Sequence, residues 1–132
     1  MHAHVAAIKA AAEFAGYPVH FGYVPTPVPQ QYVLIVTGTG DPASEVDVTG
    51  TTDDIDARVM VKIVGQTPDA ALGMASKVQT ALAAPITVPG RVVWLSRTGS
   101  LDVQVDRDVT ITGTNTHPAF ATDFYRLQSV PA

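Results

Sequence analysis

Cysteine is absent from this chain of 132 residues. Disulfides and thiolate metal sites are therefore excluded, and packing alone must hold the fold. Lysine is nearly absent too: only Lys9, Lys62 and Lys77 occur, and the arginines Arg58, Arg91, Arg97, Arg107 and Arg126 are scattered. With 12 acidic against 8 basic residues, the formal net charge is −4. A grip on nucleic-acid backbone takes a basic face, so that role is not expected. No run approaches the roughly 18 apolar residues that cross a bilayer. The opening Met1-His2-Ala3-His4 lacks the basic start and apolar core of a secretory leader. The expected place of work is the cytoplasm, or a particle assembled there.

What is present suits one domain over residues 1–132, since domains commonly run to about 100–150 residues. The alanine-rich start, 1–15, sets Val5, Ile8, Ala12 and Ala15 at helical steps. Gly16 and Pro18 end that helix. Pro18, Pro25, Pro27 and Pro29 make 16–29 a stiff, extended connector. Residues 30–37 (QQYVLIVT) are β-branched and apolar, a strand inside a sheet. In 57–65 (ARVMVKIVG), Val59, Val61 and Ile63 share one face of a second core strand.

The strongest helix signal follows. Thr67 caps, Pro68 takes the first helical position, and Asp69 complements the dipole. Ala71, Ala75, Val78 and Leu82 form a stripe ending before Pro85. Small residues there let the helix lie close against a sheet. Residues 91–97 (RVVWLSR) read as a strand, Gly99-Ser100 as a turn, and 101–105 as a return strand. In that return strand Leu101, Val103 and Val105 alternate with Asp102, Gln104 and Asp106. Residues 108–118 are loop-like, with a short extension at Val109 to Ile111, and 119–128 close the chain as an aromatic strand. The single Trp94 is expected in the core, and Phe120, Phe124 and Tyr125 in core or interface. The expected fold is α+β: a mixed, mainly antiparallel sheet, two helices packed on one face, and a projecting arm.

The arm spans about residues 38–56. It holds Gly38, Gly40 and Gly50, many threonines, and Asp41, Glu45, Asp47, Asp53, Asp54 and Asp56. Residues 44–49 alternate as an exposed strand would; the blander reading of such a charge run is a solvated loop.

Constellations that carry chemistry are hard to find. His2, His4, His20 and His117 sit in no zinc-ligand frame, and His2 with His4 reads as a surface pair. There is no G-x-S-x-G elbow. Gly38-Thr39-Gly40-Asp41 follows a strand, but Pro42 comes next and no Lys-Ser/Thr follows, so no phosphate cradle forms. Asp102 and Asp106 share strand parity on the wet side, and His117 lies nearby in sequence; this is a faint triad-like hint. No catalytic, cofactor or metal residue is assigned, and the chain is expected not to be an enzyme. Arg91 and Arg97 bracket one strand with shared parity, which fits a subunit contact and equally a solvated strand end.

Taken whole, the order and spacing resemble the tail terminator (tail completion) proteins of long-tailed phages. The likeness rests on the helix running into Gly16-Tyr17-Pro18, the strand at Tyr32 to Ile35, and Arg58 to Val64 passing through Thr67-Pro68 into a helix ending at Ala81-Leu82. It continues through Pro89-Gly90-Arg91, Asp106-Arg107-Asp108, Pro118-Ala119-Phe120 and Asp123 to Leu127. The resemblance implies a subunit of a homo-hexameric ring at the head-proximal end of the tail, assembled in the host cytoplasm. Such a ring caps the tail tube protein, ends tube polymerisation and joins a neck or head-completion protein. DNA passes through its lumen without specific binding, and no membrane is involved. On this reading Asp41, Glu45, Asp47, Asp53 and Asp54 line the lumen or meet an adjacent ring, and Arg91 and Arg97 are subunit contacts. The alternatives are a neck or head-completion connector, a small ligand-binding α/β domain, and an enzyme using Asp102, Asp106 and His117.

Overall fold

Thr67 starts a helix where its chemistry says it should. In the structure, a computed structural model, its hydroxyl accepts from Ala70 N at 3.1 Å, and Pro68 follows at the first helical position. Such a cap stabilises by about 1 kcal/mol. The structure describes residues 1–38, 41–42, 54–111 and 116–132. Its elements, in order, are α1 (His2–Glu13), β1 (Val19–Phe21), β2 (Tyr32–Thr37), β3 (Asp41–Pro42), β4 (Ile55–Gly65), α2 (Pro68–Ala83), β5 (Arg91–Val105) and β6 (Ala119–Pro131).

The six strands form one sheet in the order β1-β2-β4-β6-β5, with β3 pairing β4 off this path. β1 and β2 are parallel; every other pairing is antiparallel. Since β4 and β5 both run against β6, they run parallel to each other with β6 between them. α2 is the crossover that joins them, as parallel strands require. The fold is α+β, with a mixed, mainly antiparallel sheet.

Strand alternation sorts the faces. Val33, Ile35, Val59, Val61, Ile63, Ala121, Tyr125 and Leu127 turn to one face and pack with Ile8 and Ala12 of α1 and Met74, Ala75, Val78 and Leu82 of α2. A fully buried side chain such as Ile63 or Leu82 contributes about 1.5–3 kcal/mol. The opposite face carries no helix among the described residues. Gly65 ends β4 tightly beneath α2: a Cβ there would lie 2.9 Å from Ala71 N.

Several expectations need correction. Gly99-Ser100 is not a turn. Residues 91–105 are one continuous strand paired with β6, and the extra residue is absorbed as a bulge between Arg97 and Gly99. That bulge carries Leu101 to the open face, opposite Thr122, and a second shift follows between Leu101 and Gln104; Leu101 and Val105 are exposed. Trp94 is not in the core; it is 51 % exposed. The proline-rich connector contains β1, and its Thr26–Pro27 peptide is cis. Val109 to Ile111 is not a strand; Ile111 N donates to Thr116 O at 2.9 Å and its side chain is buried. On α1 the buried stripe is His4, Ile8 and Ala12, so His4 takes the place expected of Val5, and the surface-pair reading of His2 and His4 fails. Of the arm, β3 pairs Asp41 with Asp56 and Pro42 with Ile55. Glu45, Asp47 and Asp53, and the alternating stretch 44–49, lie outside the described residues.

Candidate functional site

β5 is the outer strand of the sheet, and among the described residues nothing pairs with its free edge. It is 15 residues long and contains neither lysine nor proline; its bulges and its Asp102 lie beyond Arg97, so the stretch from Val92 to Ser96 is regular and uncharged. Register gives its side chains two destinations. Val92, Trp94 and Ser96 stand opposite Val130, Gln128 and Arg126 on the open face. Val93, Leu95 and Arg97 stand opposite Ser129, Leu127 and Tyr125 on the helix face. The open face thus presents Val92 and Trp94 to solvent at the sheet's edge.

The two arginines bind their own sheet. Arg91 Nε donates to Ser129 Oγ at 2.5 Å, and Nη2 donates to Ser129 O at 3.2 Å. Arg97 Nη1 lies 3.8 Å from the buried carboxylate of Asp123, while the Arg97 side chain stays 47 % exposed. Gln79 of α2 also donates to Asp123, at 2.9 Å. Burial first, then the Asp123 charge, push the Tyr125 phenol up to about 12, with Arg97 pulling the other way. Ser129 also meets His4, whose Nε2 lies 2.8 Å from the hydroxyl. Burial first, then the Met1 amine and Arg91, hold the His4 imidazole below its ordinary value.

Two polar clusters on β6 were therefore invisible to motif reading: His4–Ser129–Arg91, and Gln79–Asp123–Arg97. The spacing of His4, Ile8 and Ala12 at four-residue steps is the one signal that would have found His4. Ser129 lay beyond the expected end of its strand.

The remaining candidates separate. Asp54 is placed just ahead of β4. Asp56 pairs with Arg126, Nη2 to Oδ2 at 2.7 Å, which holds its carboxyl below the usual range. His117 Nδ1 donates to Val109 O at 2.6 Å, and Asp106 Oδ1 accepts from Asp108 N at 3.1 Å. These are local turn contacts, and Asp102 stands on a strand whose parity the bulge has broken. Among the described residues no group of three or more His, Asp or Glu is placed to hold a metal ion. On the open face, a groove of about 380 Å³ lies between the proline-rich loop and the loop after β5. Tyr32, Lys62, Val109, Ile111 and Phe120 line it, with Lys62 Nζ 4.4 Å from the centre of the Phe120 ring.

No protein-family model matches the sequence, and no curated protein does. Among solved structures, the chain is similar to one from the virion of a native gene transfer agent particle. That likeness has a TM-score of 0.49 at 14 % identity and covers 97 % of this chain and 99 % of the other.

Proposed function

We propose that the chain is a structural virion subunit of a long-tailed phage that closes into a six-membered ring on the tail tube. The observation that carries this reading is the free edge of β5, where Val92 and Trp94 are exposed on a strand with open backbone donors and acceptors. A tryptophan half in water at an unpaired sheet edge suits a contact surface better than the surface of a lone domain. The order of elements adds the sequence resemblance to tail terminator proteins.

The ring works by interface geometry, and no bond chemistry is involved. Each subunit meets the next through two different surfaces, so the contacts close on themselves. Arg97, half exposed beside Asp123, and Arg91 contribute to that contact. Asp41, Glu45, Asp47, Asp53 and Asp54 face the lumen or an adjacent ring, where negative charge repels DNA phosphates and lets the duplex pass. One face of the ring ends growth of the tube protein, and the other receives the neck or head-completion protein.

The test is to add the purified chain to polymerising tube protein. Tubes should stop lengthening and carry a ring at one end. Tube growth that proceeds unchanged, with no ring bound, overturns the reading. Capture by neck protein alone would favour the connector role. The groove at Tyr32 and Phe120 favours a second reading, a small-ligand domain, because about 380 Å³ falls within the range of ligand sites. That reading requires a chain that stays monomeric beside tube protein.

A further inference from the structure

Ser129 of β6 links His4 of α1 to Arg91 of β5. Arg91 Nε can only donate, so Ser129 Oγ accepts from it at 2.5 Å. The Ser129 hydroxyl hydrogen then goes to His4 Nε2, 2.8 Å away. In that arrangement His4 Nε2 accepts, the ring is neutral, and its hydrogen sits on Nδ1; in the other tautomer an Nε2–H donates to the second lone pair of the Ser129 hydroxyl. That Nδ1 is buried and has no hydrogen-bond partner. His4 is 3 % exposed and Ser129 0 %.

With the hydrogen on Nδ1 a second proton goes to Nε2, where it meets the hydroxyl hydrogen; with the hydrogen on Nε2 it goes to the buried Nδ1, which has no partner. If the hydroxyl rotates to accept from both His4 and Arg91, its own hydrogen turns away from His4. In either case the imidazolium is a buried cation with no anion beside it among the described residues. The charges acting on it are the Met1 amine from its own end of the chain and the Arg91 guanidinium from β5, both positive. From β6 the Ser129 hydroxyl meets it. A buried, unpaired charge is expensive.

The geometry points to His4 as an acid-sensitive latch: protonation of its imidazole undoes the Arg91–Ser129–His4 relay and releases helix α1 from the sheet. Ala11 of the helix, with Met1 and Ala15 at its two ends, is only partly buried against the core. Beyond His4, its fully buried side chains are Ile8 and the small Ala12. Local opening of one lightly anchored element is the expected response.

The folded-state value lies below the ordinary 6.5, so the released form takes up the proton first. The contribution to docking is complete above about 6.5 and is lost as pH falls toward the folded value. Across that window the opening constant rises by up to about tenfold per pH unit.

Hydrogen exchange of the whole protein tests this, with intrinsic exchange rates corrected at each pH. From about pH 7.5 to about pH 5.5 the α1 amides should open up to about tenfold more per unit below the ordinary imidazole value, while β4 amides stay protected. His4→Gln keeps an acceptor for Ser129 but cannot titrate, and its α1 exchange should be flat. A flat response in the natural protein, or the same rise in His4→Gln, overturns the latch. If His4→Gln does not fold, an NMR titration of the natural protein decides. Resonances of α1 should move with the His4 imidazole signal; α1 resonances that stay put while His4 takes up its proton overturn the proposal.

Discussion

Gln79 of α2 donates a 2.9 Å hydrogen bond to Asp123 of β6, so a buried carboxylate ties the crossover helix to the strand between β4 and β5. Asp123 is 3 % exposed, and Arg97 approaches it at 3.8 Å from the edge strand. Asp123→Ala removes the acceptor for both partners. Leaving such groups unsatisfied costs about 1–3 kcal/mol. Asp123→Asn keeps an acceptor for Gln79 and should cost less. Urea unfolding of the two variants measures the difference; equal stabilities would contradict this role for Asp123.

Tyr125 reports on the same cluster from its alkaline side. Its phenol is pushed up to about 12 by burial and then by the Asp123 charge. A folded value above the unfolded one, near 10, means the contribution to stability is complete below pH about 10 and is lost as pH rises toward 12. Ultraviolet titration should show Tyr125 ionising together with unfolding. In Asp123→Asn the midpoint should fall, because the second cause of the shift has been removed.

Gly65 has no room for a side chain. An added Cβ would meet the backbone nitrogen of Ala71 at 2.9 Å, and the first turn of α2 cannot yield as a flexible side chain would. Gly65→Ala should destabilise by about 1–3 kcal/mol by forcing α2 off β4. Thermal unfolding measures the loss.

The parts legible in the sequence were those where local chemistry and tertiary packing agree. The Thr67-Pro68-Asp69 start of α2 and the alternation of Val59, Val61 and Ile63 each carry one meaning, and the structure keeps both. Gly99-Ser100 carries two meanings. The same dipeptide serves a hairpin turn or a bulge, and only the partner strand chooses; β6 is long enough to pair with the whole of 91–105. Trp94 was misplaced because alternation assigns a side to a residue but cannot say which side the helices cover. β1 was hidden because prolines near Val19–Phe21 predict extended chain, and extended chain becomes a strand only when a neighbour supplies the ladder. The Ser129–His4 contact spans 125 positions of sequence, beyond the reach of any local pattern.

On the proposed reading, this chain assembles through the exposed edge at Trp94. Solution mass across a concentration series, with and without tube protein and followed by imaging, tests it most directly. Six-fold rings should form alone or on the tube, and should be lost or weakened in Trp94→Ser. A chain that stays monomeric throughout, with tube protein present, would contradict it.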